Sequence, residues 1–227
     1  LLLELASSFI NLPLDQIESQ VQSSLRDMAT FVDADRAYIF DYDFEEQTTS
    51  NTYEWCSEGI EPQIDSLQDV PLDAHIDWPK IHAKGEHILI QNVNELPSEG
   101  LKEILAPQGI KSLVTFPLFS NGACTGFVGF DAVKQLYTFS GMEVELLSFF
   151  SKLLGNVSHR KEIETSLVEE KAFLKTLLRE IPDLIWLKDK DGVYLACNER
   201  FEDFFGAKEK DIVGKTDYDF VEKSLAD

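Results

Sequence analysis

The residues of this chain best able to hold a metal or attack a substrate are its four histidines and three cysteines. His75 and His82 fall with Asp73 and Asp77 in one predicted helical stretch, and His87 follows closely. Seven residues is two helical turns, so His75 and His82 share a face but stand about 10 Å apart, too far for one metal ion. A haem would need only one of them, so an axial ligand stays open beside the plainer reading of surface histidines. His159 heads the run His159-Arg160-Lys161-Glu162 on another predicted helix. A phospho-accepting histidine needs an acid beside it and a proline further on. Arg160 stands in the acid's place and the next proline is Pro182, so His159 reads as a solvated linker residue. Cys56, Cys124 and Cys197 form no CxxC pair, which argues against a zinc knuckle. A redox couple between Cys56 and Cys124 would need thiols within bonding reach, and buried structural thiols are the commoner alternative.

Phosphate-cradling loops are absent, with neither GxxxxGK nor GxGxxG. Gly126-x-x-Gly129 lies inside a predicted strand and reads as close packing or a bulge, and Asp131 at that strand's end reads as a turn-entry residue. The 227 residues carry 41 acids against 20 bases, a formal net charge of −21. A surface this negative repels phosphate backbones and anionic lipid headgroups, which excludes a non-specific nucleic-acid binder. No run approaches the roughly 18–20 apolar residues that cross a bilayer. Leu1-Leu2-Leu3-Glu4 has no basic start and no initiator Met, so it reads as the beginning of a fragment rather than a signal peptide. Sparse, odd-numbered cysteines suit a reducing, cytoplasmic setting.

The elements that would position these residues follow from periodicity. Leu14, Ile17, Val21, Leu25 and Met28 make one apolar helical face, with Pro13 suited to its first turn. Residues 36–42 and 48–56 read as a hairpin, and residues 111–118 and 124–133 as a second one across Asn121-Gly122. Between them, residues 57–110 hold repeated Pro and Gly around short helices at 72–84 and 98–105 and a strand at 87–91, the kind of stretch that carries binding loops. From about residue 139 to 181 no proline occurs. Leu146, Leu153, Arg160, Leu167 and Leu174 recur every seven residues, with Phe149, Asn156, Ile163, Glu170 and Leu177 as companions. This imperfect heptad predicts a helix that packs on its own domain first and continues as a dimer helix. After Pro182, strands at 184–187 and 193–197 flank Asp191-Gly192, and Asn198 and Gly206 cap a helix at 199–205.

In this order the pieces resemble known families. Residues 1–158 resemble a GAF domain through Asn51-Thr52-Tyr53-Glu54-Trp55-Cys56, Val70-Pro71-Leu72, Gln108-Gly109-Ile110-Lys111-Ser112, Phe116-Pro117-Leu118 and Gly126-Phe127-Val128-Gly129-Phe130-Asp131. Residues 172–227 resemble the front half of a PAS domain through Ile181-Pro182-Asp183, Trp186-Leu187-Lys188-Asp189, Asp191-Gly192, Asn198, Phe201, Gly206 and Ile212-Val213-Gly214-Lys215-Thr216-Asp217. The resemblance implies an α+β fold: an antiparallel sheet with helices on one face and a loop-capped pocket on the other, then a linker helix over 159–181 and a partial PAS fold. It also implies a cytosolic sensory module of the type placed before a histidine kinase, a diguanylate cyclase or a phosphodiesterase. Family ligands include cyclic nucleotides, bilins, haem and small metabolites, and fold does not choose among them.

Within that fold a glutamate is costly against packed helices. Strand alternation therefore points Thr52, Glu54 and Cys56 to the pocket and Tyr53 and Trp55 to the helices. The reverse register would put Tyr53 and Trp55 in the pocket, and Trp78 caps either arrangement. Neither Cys56 nor Cys124 has the surroundings of a bilin-bearing cysteine. The expected function is a non-catalytic sensor with no metal and no assigned catalytic residue. Its cofactor is undetermined, a small molecule is a possible occupant of the pocket, and the linker helix makes a homodimer. The rivals are a free methionine sulfoxide reductase of the GAF type and a ligand-free dimerisation scaffold. Residues 182–227 are expected to fold only with the strands that complete a PAS sheet, or against a neighbouring chain.

Overall fold

The computed structural model describes every residue except Leu1, Asn11, Ile76, Glu99 and 221–227, together with the side chains of all but Leu2, Leu3, Ala74 and His75 among the rest. The chain divides into two units, residues 1–163 and 164–227.

The first unit opens with α1 (Leu2–Phe9), which sequence periodicity did not suggest, and α2 (Ile17–Phe31). Strands β1 (Arg36–Asp43) and β2 (Thr48–Cys56) follow, then β3 (Val70–Pro71). The predicted helix over 72–84 is broken into a 3-10 turn, Leu72–His75, and α3 (Trp78–Ala83). Pro79 explains the break: in a continuous helix its ring would meet the carbonyl of residue 75. Asp77 reverses the chain there with φ 59°. β4 (Ile88–Ile90) and α4 (Leu101–Leu105) come next, α4 starting only after Gly100. β5 (Ser112–Ser120) and β6 (Ala123–Ala132) form a hairpin whose turn residues Asn121 and Gly122 both have positive φ, as a tight primed turn requires. The sheet order is β3-β2-β1-β6-β5-β4, antiparallel between all paired neighbours.

Alternation along the central strands sends side chains into two separate cores. Ile39, Phe116, Val128 and Phe130 pack with Leu25 and Met28 of α2. Tyr38, Phe40, Leu113 and Phe127 join Trp78, Leu105 and Ile110 on the other face. Both faces are covered, which is why these strands read as nearly continuous apolar runs. Two glycines of β6 let it lie against β1: a Cβ on Gly126 would stand 2.0 Å from the Phe40 carbonyl oxygen, and one on Gly129 would stand 2.2 Å from the Tyr38 ring.

α5 (Gly141–Glu180) is a single helix of 40 residues. Its start is a capping box, with Glu143 N–H donating to Ser140 Oγ and Ser140 N–H donating to Glu143 Oε2. Leu147, Phe150 and Leu154, spaced at three and four residues, bury its first half in the helix-side core. The second unit holds the last turns of α5, a two-stranded ribbon of β7 (Trp186–Lys188) and β8 (Tyr194–Cys197), and α6 (Glu199–Phe205) and α7 (Glu209–Ile212). Asn198 caps α6 by accepting from Phe201 N–H, and Gly206 ends it with φ 69°. Tyr194, Phe201 and Ile212 form a small core, while Trp186, Leu187, Leu195 and Phe204 are exposed.

Gly155 in α5 is a sharp test of this packing. A Cβ there would lie 2.5 Å from the Phe119 carbonyl oxygen of β5. Alanine gains about 1 kcal/mol of helix propensity, but pushing α5 off the sheet costs about 1–3 kcal/mol. Gly155→Ala is therefore expected to lower the thermal midpoint, measured by circular dichroism, whereas a helix answering to propensity alone would gain stability.

Candidate functional site

On the sheet face opposite α2 lies a narrow cavity of about 30 Å³, room for one or two waters. Its floor is Arg36, Tyr38 and Phe40 of β1, Asn51 and Glu54 of β2, and Phe127 and Asp131 of β6. Leu67, Trp78 and the segment from Ile104 to Ile110 wall it in. The aromatic lining is ordered: Phe40 and Phe127 stack at 5.1 Å, and Trp78 meets Phe127 edge-on at 5.5 Å.

Asn51 and Glu54 are three residues apart yet line the same cavity, which strict alternation forbids. A bulge supplies the extra residue: Ile39 pairs with Tyr53 but Phe40 pairs with Asn51. Thr52 is the residue left over. It is exposed, with its hydroxyl 3.4 Å from the Ile39 carbonyl, and the bulge turns it off the pocket face where alternation alone had put it. Tyr53 and Trp55 pack against the helix-side core. Cys56, at the end of β2 and paired with Arg36, is half-buried and outside the cavity lining. Sequence reasoning did not single out Asn51; its one signal was a polar residue in a strand otherwise rich in pairing partners.

The polar groups fall into a satisfied and an unsatisfied set. Asp131, read from sequence as a turn-entry residue, is fully buried because β6 continues past it to Ala132. It lies opposite Arg36 in the β1–β6 register and accepts from Arg36 Nη2 at 2.7 Å and Nε at 3.1 Å. Tyr38 OH donates to its other oxygen at 2.7 Å. Burial works against the Arg36 charge, the Asp131 carboxylate more than offsets it, and the guanidinium pKa ends raised. Burial and the neighbouring Asp131 push the Tyr38 phenol well up, so it stays a donor. Glu54 Oε2 accepts from the backbone N–H of Gln63 and Ile64, pinning the loop after β2. Glu54 Oε1 lies 3.9 Å from Arg36 Nε and makes no hydrogen bond among the described residues. Both side-chain atoms of Asn51, 2% exposed, also lack a partner there. A buried polar group left unmatched costs about 1–3 kcal/mol, so these atoms are the unexplained feature of the site.

The other chemical candidates sit elsewhere. His82 is not a surface residue: it is fully buried, with Nδ1 2.7 Å from Tyr42 OH and Nε2 3.0 Å from Thr115 Oγ1. Both ring nitrogens are occupied, which leaves neither for an axial bond. The His75 side chain lies outside the described residues. Among the described residues no His, Cys, Asp and Glu group is arranged to hold a metal ion. His159 is part-exposed and bonded through Nδ1 to Ser120 Oγ at 3.1 Å, while Ser120 donates to Glu162 at 2.7 Å. Burial, then Glu54, pushes the Cys56 thiol up to about 11, and burial raises Cys124 as well. Of the heptad positions, Leu146 and Leu153 pack at the margin of the helix-side core and Arg160 donates to the carbonyls of Phe9 and Leu12. Leu167 and Leu174 are exposed.

Two measurements check this electrostatic reading. Asp131→Asn keeps the shape but removes the hydrogen-bonded counter-ion of the buried Arg36, leaving only Glu54 Oε1 at 3.9 Å, and is expected to cost about 3 kcal/mol in urea unfolding. Burial lowers the His82 pKa to about 3, while the unfolded chain protonates this ring near 6.5. The unfolded state thus binds the extra proton, and stability falls as pH drops below about 6.5. By pH 5 the His82 share is about 2 kcal/mol, absent in His82→Gln.

Comparison with known proteins agrees with this architecture. The GAF domain model matches residues 16–157 and a PAS fold model matches residues 178–227. The methanogenesis regulatory histidine kinase FilI of Methanothrix harundinacea (strain 6Ac) is 33% identical over 186 residues, 77% of this chain and 20% of FilI. The virulence sensor protein BvgS of Bordetella pertussis is 33% identical over 70 residues, 31% of this chain and 6% of BvgS. The chain thus spans about a fifth of FilI and less of BvgS. In fold it is similar to the blue-light absorbing form of the Thermosynechococcus elongatus PixJ GAF domain, with TM-score 0.59 and 12% identity over 69% of this chain and 93% of that one. Among the described residues no helix is long and apolar enough to cross a membrane. GAF and PAS are sensory domains, and their pairing here makes a sensory regulatory module related to histidine kinase sensors. With residues 16–157 matched by the family model and a PAS-fold segment following, the chain belongs to the GAF domain family.

Proposed function

We propose that this chain is a non-catalytic relay that senses a small molecule in the GAF cavity and passes the signal along α5 through a homodimer. The observation that carries this reading is α5 itself. Its first half is locked into the GAF core by Leu147, Phe150 and Leu154. The same helix continues without a break into Ile163, Leu167, Leu174 and Leu177, all 43% exposed or more. Phe149 is also exposed, but Leu146, Leu153 and Arg160 are engaged at the margin of the GAF core, so the open stretch of the heptad face begins at Ile163. A second copy matches such a face, and a heptad seam has discrete alternative packings that a small rotation can switch. The segments proposed are a GAF sensor over 1–158, a helical linker over 159–181 and a PAS portion over 182–227. The output is proposed to be a histidine kinase, as in FilI, ahead of a cyclic dinucleotide enzyme.

The rival sulfoxide reductase needs a nucleophilic thiolate. The raised pKa values of Cys56 and Cys124 work against it. A bilin, as in the phycocyanobilin-bound and phycoerythrobilin-bound GAF domains of a cyanobacterial phytochrome that are similar in fold, would need far more room than the cavity offers. Native mass spectrometry and a visible spectrum of protein from its own host test occupancy, and an empty pocket would favour the scaffold reading. Sedimentation tests the relay. The chain is expected to be dimeric at high micromolar concentration, and Leu167→Glu with Leu174→Glu is expected to yield a folded monomer. A parent chain that is already monomeric there would refute the dimer.

A further inference from the structure

We propose that the cavity takes a small planar molecule, neutral or singly cationic, whose edge carries N–H donors beside an acceptor, the chemistry of an aminated nitrogen heterocycle. This deepens the sensing function proposed above and rests on it. The inference starts from the polar atoms the fold buries without matching them. Asn51 Nδ2 is a donor, and Asn51 Oδ1 and Glu54 Oε1 are acceptors, all three buried and without a hydrogen bond among the described residues. The bulge in β2 brings their residues to one wall of the cavity. An amide beside a carboxylate reads an edge that offers N–H groups and one acceptor lone pair.

Charge narrows the class. Arg36 is neutralised by Asp131 at 2.7 Å, whereas Glu54 has given only one oxygen, Oε2, to the backbone of Gln63 and Ile64. The wall is therefore left with one carboxylate in excess, which repels phosphate- and carboxylate-bearing ligands and favours a donor-rich or cationic edge. The faces of such a ligand meet aromatic side chains, with Phe40, Trp78 and Phe127 in the lining.

Size sets a condition. At about 30 Å³ the cavity must widen to admit a ring. The wall built for that is the segment bearing Ile104, Leu105 and Gln108, which runs between Gly100 and Gly109, both at positive φ. Among the described residues its polar tie to the floor is a single 3.3 Å hydrogen bond from Arg36 Nη2 to Gln108 Oε1. Moving this wall gives up one weak hydrogen bond and part of the apolar packing of Leu105 in the pocket-side core, in exchange for contacts to three unmatched atoms.

The test titrates the whole 227-residue chain with 2,4-diaminopyrimidine, and with benzoate as a size-matched anion, by calorimetry and thermal shift. Diaminopyrimidine is expected to bind and raise the melting temperature, and benzoate to do neither. Glu54→Gln is expected to weaken binding about tenfold or more. Asn51→Leu is expected to abolish binding while leaving the melting temperature at or above the parent's, since it removes a polar group the empty protein does not match. Equal binding of benzoate, no binding of diaminopyrimidine, or binding unchanged in the two variants would overturn the proposal. So would a large destabilisation by Asn51→Leu, which would mean that buried water already satisfies the amide. If diaminopyrimidine fails but native mass spectrometry finds another molecule in the pocket, the ligand class is wrong and the sensing function stands. If both fail, the sensing function falls with it.

Discussion

The GAF unit is organised around one buried ion pair. Arg36 begins β1 and Asp131 stands directly across from it near the end of β6, both essentially shut off from water. Two charges in such a place are tolerable only because each satisfies the other, with Tyr38 OH taking the second carboxylate oxygen. The pair fixes which residue of β6 faces which residue of β1, since a slip of one position would separate the charges and invert every side chain of the strand. Gly126 and Gly129 complete the constraint, because no larger residue would let the two strands approach in that register.

The cavity follows from this arrangement. With Arg36, Tyr38 and Asp131 committed to the centre of the sheet, the neighbouring strand β2 must pass beside them, and its bulge rotates Asn51 and Glu54 towards the same space. Glu54 then joins three things: the edge of the charge network, the backbone of the loop at Gln63 and Ile64, and the cavity itself. Trp78 and His82 of α3 close the aromatic side, His82 held by Tyr42 and Thr115 and kept neutral by burial.

α5 carries two side-chain patterns at once. Its core-facing residues follow three- and four-residue spacing, while the heptad positions run along an adjacent face. The two patterns coexist because a helix of 3.6 residues per turn can bury one stripe and expose another. Arg160, a polar break in the heptad, has its own work: its guanidinium caps the carbonyls of Phe9 and Leu12, tying the N-terminal segment to the helix. Ser120, between His159 and Glu162, ties the β5–β6 hairpin to the same turn. Strand, N-terminus and helix thus meet where α5 leaves the GAF core.

Much of this fold was legible in the residues themselves. The hairpin at Asn121-Gly122, the long helix that carries Leu146 to Leu174, the caps at Asn198 and Gly206, and the placement of Tyr53 and Trp55 on the helix side all rest on local periodicity and turn chemistry, which a sequence carries directly. The pocket residues were legible only in part. Glu54 and Trp78 reach the cavity; Thr52 and Cys56 do not, and Asn51 enters in their stead. The buried roles of Asp131 and His82 are likewise invisible in the sequence, where the one has the pattern of a turn residue and the other that of a surface histidine. The reason is the same in each case. A bulge, a counter-ion 95 residues away and a hydroxyl 33 residues away are decided by how distant segments pair, and only the tertiary structure brings those partners together.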